Sequence, residues 1–321
     1  MSRTRVIGLA RLLAFLMLAV VTIYGGYRFV TGDWTDVTNY WSDHLEVFLL
    51  VVVISIIDVA LEGVAWMWVY HRFQIRTFDR DGCCAFLAGR AGLVLPVQLG
   101  RLIRPDAIVK LQRAGPGDAL KAEGVVFVLD CISVIALLAA LLAYKSYPAA
   151  APFVAVAVIA IMIFLGNTIN RFVTHTHLQL PPSFWWAWPT LFIILIDMGG
   201  WLAHGLALHV VVVDLPGEMT LWDSLFFGPG SAVAGVATGL PGGIGATEGI
   251  LGASLRLRSM PIEHLAIAVA AFRLITFWLW IPIGWLALAV LRRRVSRLLI
   301  TDTAALPKEE GISWQDDIRS H

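Results

Sequence analysis

The sequence predicts an all-α polytopic membrane protein, with six transmembrane helices plus two re-entrant broken-helix hairpins in an inverted pseudo-repeat. Three observations support this fold class. The 321-residue chain is 58% hydrophobic and only 15% charged, whereas charged residues make up about a quarter of a soluble domain. Several apolar stretches are long enough to cross a bilayer. Two Pro/Gly-containing motifs of the same pattern occur in the two halves of the chain.

A transmembrane helix needs about 20 apolar residues to cross the hydrocarbon core. By this criterion the predicted spans are residues 6–30, 45–70, 122–143, 149–165, 184–213 and 265–291. The first apolar stretch is longer than the core of a signal peptide and lacks a small-residue cleavage site. We therefore expect it to remain in the protein as a helix.

The distribution of basic residues indicates the orientation, because cytoplasmic loops are enriched in Lys and Arg. Arg residues cluster at 3–11, 72–80 and 292–297, whereas Asp and Glu occupy the alternate loops at 33–43 and 214–223. Both termini are therefore predicted to be cytoplasmic. The predicted domains are a membrane domain, 1–295, with repeat halves near 45–145 and 184–291, and a disordered cytoplasmic tail, 296–321.

The two motifs lie 145 positions apart (240 − 95): the sequence LPVQLG at 95–100 and the sequence LPGGIG at 240–245. The same offset pairs Pro116 with Pro261. Interrupted apolar segments at corresponding places in two halves indicate the binding site of a transporter that is built from internal repeats. The pattern therefore favours a transport function over a catalytic one.

Each motif lies within a segment, 82–105 or 225–257, that is too polar or too rich in Gly to form a plain spanning helix. A helix-interior Gly costs about 1 kcal/mol relative to Ala, and an interior Pro about 3 kcal/mol. Non-helical backbone at membrane depth is tolerated only inside protein or beside a water-filled cavity. We therefore expect two short helices around each break, and both breaks at one shared cavity. Because three spans, an odd number, separate the two segments, we also expect them to enter the membrane from opposite faces.

Ionisable side chains within the spans are candidate site residues, because each costs roughly 2.5–3.5 kcal/mol on insertion scales and usually faces the protein interior. Asp58 and Glu62 lie four residues apart on one helical face, and Asp197 and His204 lie seven apart on another. Two interpretations stay open for these four residues: structural ion pairs, or part of a transport pathway.

For Glu123, Asp130 and Arg273 a functional role is favoured, because they lie on the helices that follow the two breaks. Arg273, deep in the last span, needs a carboxylate partner. Glu248, in the first turns after the second break, is placed either to stabilise a helix start or to meet Arg273 or a cationic substrate. Glu123 and Asp130 are also the carboxylates that we consider for coupling to protons.

The first break is basic where the second is acidic, because it carries Arg101 and Arg104, with Arg90 upstream. Such an asymmetric cavity suits a phosphate or a zwitterion, since the guanidinium group binds phosphate through two parallel hydrogen bonds. Contact with lipid phosphates at the membrane surface is the alternative for Arg101 and Arg104. The predicted substrate-binding residues are Arg90, Pro96, Arg101, Arg104, Glu123, Asp130, Pro241, Gly242, Gly243, Glu248 and Arg273.

No nucleotide-binding loop, zinc-binding helix or nucleophile elbow occurs in the sequence, so neither catalytic residues nor a metal are predicted, and no cofactor is expected. The run Gly242-Gly243-Ile244-Gly245 lacks the Lys and Ser/Thr of a phosphate-binding loop. The three cysteines, Cys83, Cys84 and Cys131, match no metal-binding spacing and are predicted to be free thiols.

The residues 241–248 resemble the Pro-Gly-Gly-x-Gly-x-x-Glu signature of the lysylphosphatidylglycerol synthase transmembrane-region family. The pattern Leu-Pro-x-x-Leu-Gly-x-x-x-Arg at 95–104 is similar to the first motif of that family, although Arg101 stands where the family often has an acidic residue. The resemblance implies a flippase or another lipid-transport role, with members linked to aminoacylated phosphatidylglycerol, hopanoids or isoprenoid-linked sugars. The soluble aminoacyl-transfer domain of bifunctional members is absent, so we expect no lysylphosphatidylglycerol synthesis.

The leading hypothesis is a transporter that moves a polar-headgroup lipid, hopanoid-type or modified phospholipid, through a central cavity. The first alternative is a membrane enzyme with Glu248 and Asp130 as acid and base. The second is a scaffold in lipid-linked biosynthesis. The expected partner is the membrane lipid substrate, and no nucleic acid is expected. A homo-oligomer and contacts with lipid-biosynthesis enzymes stay open.

Overall fold

A computed structural model describes residues 42, 44–172 and 180–305 of the chain, and every regular element in these ranges is helical. Within them, five helical segments are long and apolar enough to cross a membrane: Leu45–Arg72, Pro116–Ser146, Pro148–Thr168, Trp188–Val212 and Ile262–Arg297. Each corresponds to one predicted span, which confirms an all-α, multi-pass membrane protein. The predicted span 6–30 lies outside the described residues.

The described helices, in chain order, are α1 (Leu45–Arg72), α2 (Arg80–Ala88), α3 (Ile103–Lys110), α4 (Pro116–Ser146), α5 (Ala151–Phe172), α6 (Pro182–Trp186), α7 (Trp188–Val212), α8 (Leu221–Ala237), α9 (Ala246–Arg256), α10 (Ile262–Arg273) and α11 (Trp280–Ala305). Short 3₁₀ segments cover Gly89–Gly92, Pro96–Leu102, Pro148–Ala150 and Pro241–Gly243, and a π-helical turn covers Leu274–Trp278. We call residues 80–110 the first broken pair and residues 221–256 the second broken pair.

Both broken pairs are interrupted for the same local reason, a Leu-Pro step. Leu95 and Leu240 have extended backbones, with ψ of 143° and 148°, because the proline ring that follows disfavours a helical conformation in the residue before it. In the second pair, Gly242 and Gly245 also have positive φ angles of 59° and 86°, which glycine adopts at little cost. The two half-helices that the sequence predicts around each break are therefore present.

Several boundaries differ from the prediction. The predicted span 184–213 is divided at Ala187, whose backbone is extended, because a new helix begins at Trp188 with Pro189 in its first turn. The last span begins at Ile262 rather than at residue 265 and is interrupted by the π-helical turn. Helix α11 continues to Ala305, so residues 296–305 are helical rather than part of a disordered tail. No Gly or Pro occurs between residues 284 and 307 to stop the helix earlier, and residues 306–321 lie outside the described part.

Each broken pair packs against the span that follows the other one. The first broken pair lies on α11 and the second contacts α4, while α1 and α7 pack along each other. The approach to α11 is close, because a Cβ atom built on Gly284 lies 2.2 Å from the backbone nitrogen of Ala91. The 3₁₀ segments of the two pairs also touch, so both breaks lie at one place inside the helix bundle.

The apolar core forms two main clusters on either side of α1. One surrounds Trp66 and Tyr70, which are fully buried against α2, α3, α4 and α7. The other surrounds Leu208, Leu251 and Phe272, where α7, α9 and α10 meet. The two clusters fix the positions of α3, α4, α7 and α10, the helices that carry the buried charged residues Arg104, Glu123, Asp197 and Arg273.

Each broken pair is closed at its ends by an Arg–Asp clamp. In the first, Arg113 just after α3 donates to Asp79 at 2.8 Å and to Asp81 at 3.1 Å, at the start of α2. In the second, Arg258 just after α9 binds Asp223 in the first turn of α8. The two arginines are 145 positions apart (258 − 113), the same offset that separates the two motifs.

Candidate substrate cavity

A cavity of about 190 Å³ lies where the two breaks meet. Its wall includes Leu93 and Gly100 from the first broken pair, and Leu240 and Gly242 from the second. Pockets for drug-sized ligands measure about 300–1,000 Å³, so this cavity suits a compact polar group rather than a whole lipid. The ionisable residues of the wall are Asp58, Glu62, Arg90, Arg101, Arg104, Asp130, Asp197, His204 and Arg273.

Glu62 on α1 is the centre of a basic wall formed by the first broken pair. Arg104 donates from Nη2 to Glu62 Oε1 at 2.8 Å, and Arg90 binds the other carboxylate oxygen. Arg90 and Arg104 also stack against the ring of Phe86, with the guanidinium carbon of Arg104 4.5 Å from the ring centroid. The ion pairs and the ring hold the two guanidinium groups rigidly beside the cavity.

Glu123 lies behind this wall rather than on it. Its Oε2 accepts hydrogen bonds from Trp66 Nε1 at 2.8 Å and from the Tyr70 hydroxyl at 3.0 Å, and its Oε1 is 3.6 Å from Arg104 Nη1. Glu123 does not line the cavity, because the aromatic side chains of α1 bind its carboxylate, and its predicted contact with the substrate stays a prediction. Glu123 instead positions Arg104.

Asp130 and Arg101 form an ion pair on the cavity wall. Trp201 on α7 also donates from Nε1 to Asp130 Oδ1, at 3.0 Å. The guanidinium group of Arg101 lies over the ring of Phe127, 5.3 Å from its centroid. The structure thus brings together two residues that the sequence predicted for the site, one from the first broken pair and one from the following span.

At the second break, Arg273 finds the carboxylate partner that the sequence requires. Its Nε donates to Glu248 Oε1 at 2.7 Å, and its Nη2 donates to the backbone carbonyl of Gly242 at 3.2 Å. Glu248 also accepts a hydrogen bond from the Gly245 N–H at 2.7 Å and so caps α9. Both roles that were considered for Glu248 are therefore fulfilled. Glu248 does not line the cavity itself, because the cap holds it against the helix start.

The prolines of the two motifs act on the backbone. Pro96 and Pro241 begin the 3₁₀ segments after the breaks. The cavity wall includes Gly242 and Gly243 but not Pro241, whose predicted contact with the substrate stays a prediction. The positive φ angles of Gly242 and Gly243 turn the chain back beside the cavity, and this turn brings the Gly242 carbonyl to Arg273.

Four residues of the cavity wall are ones whose role the sequence left undecided. Asp58 and Glu62 lie on α1, and Asp197 and His204 lie on α7, and all four line the cavity. His204 Nδ1 is 3.2 Å from Asp58 Oδ2. The four- and seven-residue spacings placed each pair on one helical face. They did not indicate that the two faces meet at the cavity.

Some donors on the wall have no acceptor in the described part of the chain. These include Nε of Arg90 and Nη1 of Arg101, both of which are buried nitrogen atoms. Buried donors normally find an acceptor, so these positions favour a ligand that is rich in acceptor oxygens. In residues 44–172 and 180–305 no group of three His, Cys, Asp or Glu side chains could hold a metal ion. Cys83, Cys84 and Cys131 are free, as predicted.

A family model of the lysylphosphatidylglycerol synthase transmembrane region matches residues 6–284 of the chain. The chain belongs to this family. The match includes both broken pairs and every residue of the cavity wall, which confirms the resemblance that the two motifs indicated. The comparison with curated proteins gives no match.

Membership of the lysylphosphatidylglycerol synthase transmembrane-region family shows a membrane protein with a lipid-related function. In this family member the two motifs supply the backbone of the cavity, and charged residues of α1, α4, α7 and α10 complete it. The arrangement presents both hydrogen-bond donors and carboxylates around one cavity. It can therefore bind a headgroup that carries both acceptor and donor groups.

Proposed function

We propose that this protein is a lipid transporter, a flippase, that moves a polar-headgroup lipid across the bacterial inner membrane. The headgroup crosses through the cavity while the acyl or polycyclic part stays in the bilayer. The observation that carries this proposal is the position of the charged cavity, at the meeting point of two broken helices inside a membrane domain. Both termini are cytoplasmic in this proposal, in agreement with the distribution of Arg residues.

The physical obstacle to lipid transfer is the headgroup, because polar groups without hydrogen-bond partners cost several kcal/mol each in hydrocarbon. Side chains of Arg101, Arg104 and Asp130 replace the water that the headgroup loses. A volume of about 190 Å³ accommodates a phosphate with a short polar substituent, but no lipid tail. The size of the cavity therefore favours transfer of the headgroup alone through the protein.

The two broken pairs are re-entrant hairpins in this proposal, and they enter from opposite faces as an inverted repeat. Three of the apolar spans separate them, an odd number, which supports entry from opposite sides. The matching clamps at Arg113 and Arg258, and the packing of each pair on the span that follows the other, support this arrangement. Inverted repeats of this kind allow access to alternate between the two faces.

The substrate in this proposal carries a phosphate or a zwitterionic headgroup. The donors of Arg90 and Arg101 without acceptors support an oxygen-rich group, and the carboxylates of the cavity wall support a cationic or hydroxyl group. A modified phospholipid and a hopanoid-type lipid both meet this description. Lipid that co-purifies with the protein, identified by mass spectrometry, distinguishes the two.

The direct test is lipid exchange between leaflets in vesicles that contain the purified protein. Labelled phospholipid, hopanoid and polyprenyl phosphate are supplied separately, and the label in the outer leaflet is destroyed chemically at intervals. We expect faster exchange of at least one lipid than in protein-free vesicles. Absence of acceleration for all three lipids contradicts the proposal.

A cavity variant and a matched surface variant separate transport from nonspecific leakage. Arg101→Gln removes a guanidinium group from the cavity, and we expect exchange to slow at least about tenfold, equivalent to roughly 1.4 kcal/mol. Arg293→Gln makes the same change on an exposed position of α11 and leaves the cavity unaltered. Equal rates for the two variants contradict a role for the cavity and favour a scaffold. A covalently changed lipid in the same vesicles favours an enzyme.

A further inference from the structure

Asp197, near the middle of α7, is a buried carboxyl group on the cavity wall that lacks a complete set of hydrogen bonds. Only 6% of the residue is exposed, and its Oδ2 has no hydrogen-bond donor among the described residues. The Ser133 hydroxyl stabilises the Asp197 carboxylate by a hydrogen bond, but its single hydrogen is also directed to the Leu129 carbonyl, at 2.8 Å. Glu123 Oε1 likewise has no donor, but Arg104 Nη1 lies 3.6 Å from it, whereas Asp197 forms no ion pair with the described residues.

The other carboxylates around the cavity each have a named partner. Glu62 binds two arginines, Asp130 binds Arg101 and Trp201, and Asp58 lies beside His204. The ionisable groups that line the cavity with Asp197 are Asp58 and Glu62 on α1, Asp130 on α4, Arg90, Arg101 and Arg104 on the first broken pair, Arg273 on α10, and His204 on α7 itself. The Cys131 thiol of α4 also interacts with Asp197. The arginines that could neutralise Asp197 are thus already bound to other carboxylates.

An ionised carboxylate that is buried without a donor is costly, and additional negative charges nearby increase the cost. Binding of one proton removes the charge and supplies a donor hydrogen on the carboxyl group itself. Glu123 and Asp130, which the sequence offered for proton coupling, have less need of this proton. Asp130 accepts from Arg101 and Trp201, and Glu123 accepts from Trp66 and Tyr70 at one oxygen and has Arg104 3.6 Å from the other.

We propose that Asp197 is a proton-binding site of the cavity and that proton binding there is coupled to lipid translocation. This inference rests on the proposed transport function. When a headgroup donor or water reaches Oδ2, it stabilises the carboxylate, and the proton leaves to the water in the open cavity. When the headgroup departs and the cavity closes, the carboxylate takes up one proton again. Because binding is reciprocal, the proton and the donor group of the lipid weaken each other's binding.

The first test needs no transport. Infrared spectra of the protein in vesicles at neutral pH report the carbonyl stretch of a buried, protonated carboxyl group. We expect this band in the natural protein and its loss in Asp197→Asn, which keeps the shape of the side chain. Asp118→Asn, at an exposed position near the start of α4, is the matched control and retains the band. A natural protein without the band, or a band that persists in Asp197→Asn, overturns the proposal.

The second test measures the final distribution of labelled lipid in vesicles with a pH difference of one unit. For one proton per lipid, this difference shifts the distribution between leaflets by up to about tenfold, which equals about 1.4 kcal/mol. We expect the natural protein to give an unequal distribution whose direction reverses with the gradient. In vesicles with Asp197→Asn, we expect the labelled lipid to distribute equally between the two leaflets, whatever exchange rate the variant retains.

The outcomes separate this inference from the proposed function. If the natural protein exchanges lipid rapidly but the label distributes equally between leaflets whatever the pH gradient, Asp197 is not a coupled proton-binding site. The proposed transport function then still holds. Loss of selectivity for amine-bearing lipids in Asp197→Asn, without any gradient effect in the natural protein, assigns Asp197 to headgroup binding instead. No exchange in any vesicle removes the proposed function, and the infrared band still decides whether Asp197 binds a proton.

Discussion

The two broken pairs share a backbone plan but carry opposite charges where each meets the following span. In the first pair, Arg101 and Arg104 face the carboxylates Asp130 and Glu123 on α4. In the second, Glu248 faces Arg273 on α10. The Leu-Pro breaks and the Arg–Asp clamps match, whereas the charges are exchanged. Backbone geometry and site chemistry are therefore specified by different residues.

The ion pairs of the two broken pairs also differ in how deeply their side chains are buried. Arg104 and Glu123 are almost completely buried, with 4% and 5% of their side chains exposed, whereas 29% of the Glu248 side chain is exposed. A buried charge that loses its partner is much more costly than a partly hydrated one. The first pair should therefore depend more strongly on its ion pairs than the second.

The largest expected effect comes from removal of the buried guanidinium group. We expect Arg104→Met to lower the free energy of unfolding by about 3–5 kcal/mol, because Glu62 and Glu123 lose a buried partner. Arg273→Met should cost less, since Glu248 keeps its bond to the Gly245 N–H and contact with solvent. Chemical unfolding in detergent measures both. A loss for Arg273→Met as large as that for Arg104→Met contradicts the difference in depth.

The next effect concerns the close approach of backbone segments in each pair. A Cβ atom on Gly100 lies 2.1 Å from the Gly92 carbonyl oxygen, so we expect Gly100→Ala to cost about 1–3 kcal/mol. In the second pair, a Cβ atom on Gly235 lies 1.9 Å from the Thr247 hydroxyl, which can rotate away, so Gly235→Ala should cost less. Thermal unfolding of the two variants tests this order.

Gly249→Ala is the control for these two variants. No atom lies within 4 Å of a Cβ built at Gly249, inside α9, so the alanine should stabilise the protein by up to about 1 kcal/mol. Destabilisation by Gly249→Ala as large as that by Gly100→Ala indicates that the helices tolerate no methyl group at all. The close approaches would then not be special.

The smallest expected effect concerns the clamp of the first pair. The hydrogen bond from Arg113 holds the pKa of the Asp79 carboxyl below its ordinary value of 3.8. A lowered pKa in the folded protein means that the clamp stabilises the fold above about pH 3.8 and that this contribution is lost as the pH falls further. With 25% of the Asp79 side chain exposed, we expect about 1 kcal/mol or less.

Asp79→Asn isolates this charge effect, because Asn also caps a helix start. The difference in stability between the natural protein and the variant should be present at pH 7 and shrink below pH 3.8. Asp223→Asn makes the same change in the second clamp. A difference for Asp79→Asn that stays constant down to the lowest pH excludes ionisation of Asp79 as its cause.

The sequence predicts those parts of the fold that depend on local chemistry. Proline in the Leu-Pro steps fixes both breaks, and apolar length fixes the five spans that the structure describes. The Arg273–Glu248 pair could also be predicted, because a buried arginine requires a carboxylate and Glu248 lay in the segment expected to face Arg273. In contrast, helical spacing shows which residues share a face, but not the element that this face meets.

Two features depend on that tertiary information. Glu123 lies behind the cavity because Trp66 and Tyr70 bind it there, and no spacing on α4 reveals the contact. Arg113 and Arg258 fit the 145-residue offset, but one matching arginine has little weight before the clamps are seen. The site was therefore predictable in its location and charge, and not in its division into supporting and lining residues.

The π-helical turn at Leu274–Trp278 sets the rotational phase of the last span. In an unbroken α-helix, Gly284 would lie almost directly above Arg273, since eleven residues make about three turns. A π-helical turn contains roughly one residue more than an α-helical turn, which rotates everything after it by about a quarter of a circle. The last span thus directs Arg273 toward the Gly242 carbonyl and Gly284 toward Ala91, so this one span contacts both broken pairs.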